Sequence, residues 1–189
     1  MTANERDSER TRRFDALFAA YSADIVAYCG WRAASRTDAQ DAASDVFLTA
    51  WRRLDEVPDG DRARVWLYAT ARRVLANQRR SGRRRAALHE RLSREAMSIP
   101  GESSSPGREE ALVHEALRRL GPRDREILLL AEWEGLSPAQ IASVVGCLTV
   151  TARGRLHRAR RRFRDAFEAS RARDERERWT LSKEVPEHG

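Results

Sequence analysis

The stretch from Leu136 to Arg164, LSPAQIASVVGCLTVTARGRLHRARRRFR, constrains the fold of this 189-residue chain more than any other. Ser137 followed by Pro138 is typical of a helix start, because serine caps free N–H groups and proline fits the first helical position. Gly146 is suited to end that helix in a turn. The buried side of the helix is predicted to hold Ile141, Val144 and Val145. The pattern therefore predicts two short helices around a Gly-Cys turn.

The second of these helices has two chemically different sides. An apolar stripe recurs with the helical period and contains Leu156, Ala152, Ala159, Phe163 and Phe167. The opposite side carries Val150, Gly154, His157, Arg158 and Arg161. A helix-turn-helix needs such a helix, because one face packs while the other meets bases and phosphates. On charge alone, a solvated arginine-rich surface explains the helix equally well, so the preceding turn carries the prediction of DNA binding.

Positive charge is concentrated in two segments of the chain. The formal net charge is +7, yet Arg79–Arg94 and Thr149–Arg164 each contain seven arginines. Glu90 is the single acidic residue in the first segment, and the second contains none. The remainder of the chain is therefore net negative. Two basic segments far apart in sequence are expected of a protein that grips one nucleic acid at two sites.

Residues capable of metal binding or catalysis are few and scattered. Cys29 and Cys147 are the only cysteines, without a CxxC pair, so we predict reduced thiols, no metal and no cofactor. His89, His114 and His157 lack carboxylate or cysteine neighbours at ligand spacing, which argues against a catalytic role. No apolar run reaches 18 residues and the N-terminus is polar, so we expect a cytoplasmic chain without membrane insertion.

Helical periodicity runs through most of the sequence, and no strand alternation is present. We therefore predict an all-α protein with two small helical domains. The segment Ser98–Gly107, SIPGESSSPG, has the composition of a flexible linker between them. We expect a disordered N-terminus over residues 1–13, a first domain over 14–94, a linker over 95–108, a helix-turn-helix domain over 109–169 and a charged C-terminal tail over 170–189 that is either a fraying helix end or disordered.

A helix predicted to begin near Ser35 carries a mixed surface in the first domain. Its packing side is predicted to contain Ala43, Val46, Phe47, Ala50, Trp51 and Leu54. The opposite side collects Asp41, Asp45, Leu48 and Arg52. A leucine among charges on an exposed face favours docking to a protein, with the apolar side chain as the anchor. A scattered surface leucine is the alternative, and it is common.

The segment beginning at Arg64, RVWLYATARRVLANQRRSGRRR, predicts a further two-sided helix. Its packing side is predicted to hold Leu67, Ala71, Val74, Leu75 and Gln78. Its other side carries Trp66, Thr70, Arg73, Asn77 and Arg80, a combination that can stack on unstacked bases and neutralise phosphates. The alternative places Trp66 and Tyr68 in the core. The preceding polar loop, Glu56–Ala63, is a place where an extruded base can be received.

Four segments in this order carry a resemblance to a known family. DAQDAASDVFLTAW, WLYATARRVLANQRR, EALRRLGPRDREILLLAEWEGLSPAQIASVVG and GRLHRARRRF resemble an extracytoplasmic-function (ECF, group 4) sigma factor of bacterial RNA polymerase, over roughly Phe14–Phe167. The resemblance implies sigma region 2 in the first domain and sigma region 4 in the second. It implies a promoter-specificity subunit that binds core polymerase, recognises the minus-35 and minus-10 elements and initiates transcription of a dedicated regulon.

The resemblance also implies roles for the faces described above. The face with Asp41, Asp45, Leu48 and Arg52 is similar to region 2.2, which docks on the clamp helices of the polymerase β′ subunit. The side with Trp66, Thr70, Arg73, Asn77 and Arg80 is similar to regions 2.3 and 2.4, which capture the opened minus-10 strand. The positions of Arg153, Gly154, His157, Arg158 and Arg161 match or neighbour those that meet the minus-35 element. Contact with the polymerase β-flap and control by an anti-sigma factor are further implications.

Two residues depart from the family pattern at the start of the recognition helix. Leu148 stands where a small polar capping residue is usual, so Thr149 is expected to cap the helix one residue later. Gly154 replaces a polar contact residue and lowers helix propensity by about 1 kcal/mol relative to alanine. The first departure affects the helix start and the base register, and the second shifts the expected readout at Gly154 toward DNA shape and phosphates.

Two other classes of protein compete with the sigma-factor interpretation. A helix-turn-helix regulator would bind its operator without polymerase, and the region 2 resemblance argues against it. A nucleic-acid-processing enzyme would need clustered carboxylates or an activated nucleophile. Asp38, Asp41 and Asp45 form the only acidic cluster of that kind, and a helix cap with a docking face explains it more simply. We therefore predict a protein that is not an enzyme.

Overall fold

The computed structural model describes residues 3–89 and 107–183, and these residues contain α-helices and no strand. The α-helices are α1 (Ala3–Gly30), α2 (Arg36–Arg52), α3 (Asp61–His89), α4 (Arg108–Arg119), α5 (Pro122–Glu132), α6 (Pro138–Val145) and α7 (Thr149–Lys183). One compact unit contains α1 to α3, and a second contains α4, α5, α7 and the first part of α6. The all-α prediction is confirmed.

In the first unit, α2 packs against α1 and α3 through a side rich in alanine. Ser35 caps α2, since its hydroxyl accepts a hydrogen bond from the Asp38 N–H at 3.0 Å. The buried residues of α2 are Ala39, Ala42, Ala43, Val46, Phe47 and Ala50. Leu67, Ala71 and Leu75 of α3 are buried as predicted, whereas Val74 and Gln78 are half-buried. Small side chains let the helix axes approach closely. Because α2 packs through this side, its opposite side is left at the surface.

Two tyrosines join α1 to α3 in the core of this unit. The rings of Tyr28 and Tyr68 are fully buried and lie 5.1 Å apart between centroids. The guanidinium of Arg32 lies 3.6 Å from the Tyr28 ring centroid, and that of Arg64 lies 5.5 Å from the Tyr68 ring centroid. Tyr68 is therefore a core residue, as the alternative interpretation of the aromatic residues of α3 predicted.

The first helix begins earlier than the sequence indicates. Residues 3–13 form the first turns of α1, although we expected residues 1–13 to be disordered. Arg10 donates a hydrogen bond to the Trp51 carbonyl in the last turn of α2, and Arg13 donates one to the Val57 carbonyl in the segment that follows α2. These long-range contacts stabilise turns that the polar composition alone does not.

In the second unit, side-chain capping interactions fix the end of α4 and the start of α6. The side chain of Arg125 in α5 donates to the carbonyls of Leu117, Arg118 and Leu120 at the C-terminal end of α4, where few helical N–H donors remain. Ser137 and Gln140 form a reciprocal capping box at the start of α6, with N···O distances of 2.8 and 3.3 Å. The helix-turn-helix prediction thus has its expected first helix.

The turn between α6 and α7 depends on glycine. Gly146 has a φ of +71°, a conformation that favours glycine, and the Cys147 N–H donates to the Ala142 carbonyl at 3.0 Å. This is the Schellman arrangement that ends a helix and reverses the chain. The predicted end of the first helix at Gly146 is confirmed.

The last helix extends well past the expected end of the second domain. We expected a fraying helix end or disordered tail from residue 170, yet α7 continues to Lys183. Ser170 is buried, and Arg108 of α4 donates to the Asp174 carboxylate at 2.7 Å. Packing of α7 against α4 explains the longer helix. Most of the expected linker over 95–108 and the last six residues of the chain lie outside the described residues.

Candidate protein-docking and nucleic-acid interfaces

The predicted docking face of α2 is at the surface. The side chains of Asp41, Asp45, Leu48 and Arg52 are all exposed. Leu48 is 45% exposed although it follows the buried Phe47 directly. Spacings of four, three and four residues place the four side chains on one stripe of the helix. The stripe therefore combines an apolar anchor with charges of both signs on a rigid element.

An aromatic cluster on α1 and α2 enlarges the exposed apolar surface of the first unit. Phe14 lies 5.2 Å from the Trp51 ring and Phe18 lies 4.8 Å from the Phe47 ring, measured between centroids. Phe18 is 47% exposed, and Trp51, which we predicted in the core, is 36% exposed. A helical wheel of α2 places Trp51 on the packing side, but the neighbouring helix covers only part of the Trp51 ring. This surface was not predicted from the sequence.

The predicted strand-binding face of α3 is present with one exception. Arg73, Asn77 and Arg80 are exposed, and Arg80 donates a hydrogen bond to the Asn77 side-chain oxygen. Trp66 is half-buried. Thr70 is buried at 4% exposure, and its hydroxyl donates to the Trp66 carbonyl at 2.9 Å. Thr70 therefore supports the helix from within and does not present its hydroxyl at the surface as we expected.

The loop between α2 and α3 is well anchored. It contains a 3-10 turn, Leu54–Glu56, and the side chains of Leu54 and Val57 are buried. Gly60 has a φ of +63°, which allows the chain to turn into α3. Hydrogen bonding from Arg53 lowers the pKa of Glu56 below its usual range. An anchored loop can hold its backbone groups in a fixed arrangement beside α3.

The recognition helix begins at a residue other than the predicted cap. The Ala152 N–H donates to the Leu148 carbonyl at 3.0 Å, so Leu148, not Thr149, occupies the N-cap position of α7. Leu148 is 72% exposed and Val150 is 71% exposed. A leucine side chain offers no oxygen to the first N–H groups, so the backbone carbonyl alone defines the helix start. The cap expected from Thr149 is therefore wrong.

The expected minus-35 residues lie on the first four turns of α7. Arg153, His157, Arg158 and Arg161 are exposed. Gly154 is half-buried, and a Cβ placed on it would lie 3.5 Å from the Arg158 guanidinium, an ordinary contact distance. A small side chain could therefore replace Gly154 without displacing Arg158.

Two arginines of this helix have a structural role that the sequence did not reveal. Arg160 donates to the Glu132 carboxylate at 2.8 Å, and Arg162 pairs with Asp124. Both carboxylates belong to α5. In contrast, Arg153, Arg158 and Arg161 have no ion-pair partner within residues 3–89 and 107–183. On α7, Arg153, Arg158 and Arg161 are therefore available to a polyanion, because they are also exposed.

Other kinds of site receive no support from the part of the chain that the structure describes. Within it, no group of three or more His, Cys, Asp or Glu side chains could hold a metal ion. Cys29 is buried, Cys147 is half-buried, and neither forms a disulfide. Among the described helices, none is long and apolar enough to cross a membrane.

Comparison with known proteins identifies matches to both units. The family model of sigma-70 region 2 matches residues 17–85, and that of sigma-70 region 4 matches residues 110–163. The ECF RNA polymerase sigma factor SigL of Mycobacterium tuberculosis is 32% identical, with 71% of this chain and 80% of SigL covered. The RNA polymerase sigma-H factor of Pseudomonas aeruginosa is 31% identical, with 79% of this chain and 83% of the relative covered.

Solved structures share the fold. The sigma factor RpoE of Bartonella quintana, in complex with the anti-sigma factor NepR, has a TM-score of 0.68 at 22% identity, with 82% of this chain and 96% of RpoE covered. CnrH, in complex with the cytosolic domain of CnrY, has a TM-score of 0.57 at 24% identity, with 84% and 90% covered.

Proposed function

We propose which faces of this chain recognise a promoter, given that the chain belongs to the ECF sigma factors of RNA polymerase. As a sigma factor, the chain joins core polymerase and directs it to promoters. We assign residues 14–94 to region 2, which binds core polymerase and the minus-10 element. We assign residues 109–169 to region 4, which binds the minus-35 element. The two family matches lie inside these bounds and support the division.

Docking on the clamp helices of the polymerase β′ subunit is assigned to Asp41, Asp45, Leu48 and Arg52 on α2. The exposure of Leu48 among charges supports this assignment, because an apolar side chain in a desolvated pocket supplies affinity and the surrounding charges set register. The alanine-rich packing side of α2 keeps the stripe on a rigid helix. Region 4 is assigned the contact with the β-flap on the basis of family membership.

Capture of the opened minus-10 strand is assigned to Trp66, Arg73, Asn77 and Arg80 of α3. Arginines can neutralise the strand's phosphates while the aromatic ring and the amide meet bases. Thr70 has a positioning role in this scheme, because its buried hydroxyl bonds to the Trp66 backbone. The predicted loop Glu56–Ala63 ends at Gly60 in the structure, because α3 begins at Asp61, and its remaining part, Val57–Gly60, receives an unstacked base beside this face. No ATP is required, since binding of the single strand stabilises the open duplex.

Recognition of the minus-35 element is assigned to Arg153, Gly154, His157, Arg158 and Arg161. The observation that carries the proposal is the arrangement of α7. Its Arg160 and Arg162 are held by acidic residues of α5. On the same helix, which is the second of the helix-turn-helix, Arg153, Arg158 and Arg161 have no ion-pair partner among the described residues. Such a helix fits the major groove, where arginine pairs with guanine and with phosphates.

We also assign the chain to the cytoplasm, with control by an anti-sigma factor and no chemistry of its own. The complex of RpoE with NepR supports an anti-sigma partner by analogy. A sigma factor acts on polymerase and DNA, both of which are cytoplasmic in bacteria. Catalysis of RNA synthesis belongs to core polymerase.

Run-off transcription with purified core polymerase on a genomic promoter library tests this function. Addition of the full chain is expected to produce transcripts from a small set of templates that share minus-35 and minus-10 sequences at a fixed spacing. Core polymerase alone is the control and is expected to show no such selection. Equal transcript sets with and without the chain would contradict the proposal.

A further inference from the structure

One face of α1 reaches across to the loop that joins α2 to α3. Arg10, Arg13 and Tyr21 lie on this face, since spacings of three and eight residues return to the same side of a helix. Their side chains donate to three backbone carbonyls: Arg10 to Trp51 in the last turn of α2 at 2.6 Å, Arg13 to Val57 in the loop at 2.6 Å and Tyr21 to Gly60 at the end of the loop at 3.5 Å. The loop backbone is therefore held from α1 at Val57 and Gly60, and the end of α2 that precedes it is held at Trp51.

Arg13 makes the central contact and holds two groups at once. The same guanidinium nitrogen that donates to the Val57 carbonyl also lies 3.0 Å from the Asp59 carboxylate. Buried Val57 and the positive φ of Gly60 fix the ends of this short segment. Arg13 fixes the residues between them.

Arg13 is better suited to hold the loop than to bind a phosphate directly. Its side chain is 37% exposed and its charge is paired with Asp59. It also lines an open cavity of about 220 Å³ between α1 and the loop, with Leu17 on the same wall and Pro58 on the other. Because the Arg13 side chain extends from α1 to the Val57 carbonyl of the loop, it sets the distance between the two walls of the cavity.

We propose that Arg13 is a positioning residue for base discrimination in the minus-10 element. It holds Val57–Gly60 in the conformation in which the loop distinguishes the base that it receives. This inference rests on the proposed function of the loop. Without Arg13, the Val57 carbonyl and the Asp59 carboxylate reorient, so that the loop accepts different bases more equally. Strand capture by the exposed face of α3 continues, because Arg73, Asn77 and Arg80 do not depend on Arg13.

The test is run-off transcription by holoenzyme reconstituted from the full chain, on templates that carry each of the four bases at each minus-10 position. Arg13→Met keeps the aliphatic bulk and removes the donors. It is expected to reduce the preference for the best base at one minus-10 position by about fivefold or more. Affinity for core polymerase and dependence on the minus-35 element are expected to stay within about twofold of wild type.

Arg12→Met is the matched control, because Arg12 is 73% exposed, pairs with Glu9 of its own helix and carries the same charge. It is expected to keep the wild-type base preference. Arg13→Lys keeps a cation that can donate to Val57 and is expected to recover most of the preference. An unchanged preference in folded Arg13→Met, or an equal loss in Arg12→Met, would overturn the proposal.

A second variant covers the case in which Arg13→Met does not fold. Asp59→Asn removes the ion pair at a 91% exposed side chain while keeping the Arg13 bond to Val57. It is expected to lose part of the same preference, and full retention would overturn the proposal. Wild-type holoenzyme with no promoter preference would contradict the proposed function itself, which separates that failure from a failure of the Arg13 assignment.

Discussion

Replacing Asp45 and Leu48 together with alanine is expected to weaken binding of the chain to core RNA polymerase by about 30-fold or more. Truncation of a central interface side chain costs about 2 kcal/mol, and 1.4 kcal/mol corresponds to a tenfold change in affinity. Both side chains are exposed, so the helical fold should be retained. Fluorescence anisotropy of labelled chain titrated with core polymerase measures the affinity, and circular dichroism checks the fold.

The matched control for this experiment is Asp15→Ala with Val26→Ala on α1. These residues are also exposed and have the same chemistry, one carboxylate and one aliphatic side chain. The control is expected to bind core polymerase with nearly wild-type affinity. Unchanged affinity in the α2 double variant, or the same loss in the α1 control, would remove the docking assignment from α2.

Replacing Arg158 with alanine is expected to reduce transcription from a promoter with an intact minus-35 element by about tenfold. A good arginine contact to a base is worth about 1–3 kcal/mol of discrimination. On a promoter with a scrambled minus-35 element, the same variant should match wild type, since the contact is already lost. Binding of a minus-10 single strand should also be unaffected. Run-off yields on the two promoters and strand-binding assays measure these effects.

Arg171→Ala is the control for charge on the same helix. Arg171 is exposed and pairs with Glu175 beyond the recognition turns. It should leave the yield from both promoters close to wild type. Two outcomes would contradict the assignment of the minus-35 element to the second unit and the minus-10 element to the first. One is an equal loss of transcript yield for Arg158→Ala on the intact and scrambled promoters, and the other is an equal loss of binding to duplex and to the minus-10 single strand.

Most features that depend on neighbouring residues in sequence were predictable, with the start of α7 at Leu148 as the exception. Pro138 at the helix start, the Ser137 cap and the Gly146 turn follow from backbone chemistry that acts over a few residues. The exposed stripe of α2 was also predicted correctly, because a wheel gives the direction of each side chain around its own helix axis.

Features that depend on distant residues were not predictable in this way. The pairing of Arg160 and Arg162 with α5 bridges 28 and 38 residues, and a charge run cannot show which of its members have partners. A wheel also does not give the width of the neighbouring helix, so Thr70 was placed at the surface and Trp51 in the core. The N-terminal turns of α1 and the end of α7 are helical because of tertiary contacts that their polar composition conceals.

The comparison that tests the central claim most directly is the affinity for one promoter fragment with and without core polymerase. Gel-shift titrations would use the selected promoter and a fragment with both elements scrambled. The account predicts that the chain alone binds both fragments weakly and with similar affinity, and that with core polymerase it prefers the intact promoter by at least about 100-fold. Tight and sequence-specific binding by the chain alone, unchanged by core polymerase, would contradict recognition of the two promoter elements in complex with polymerase. It would identify an independent DNA-binding regulator.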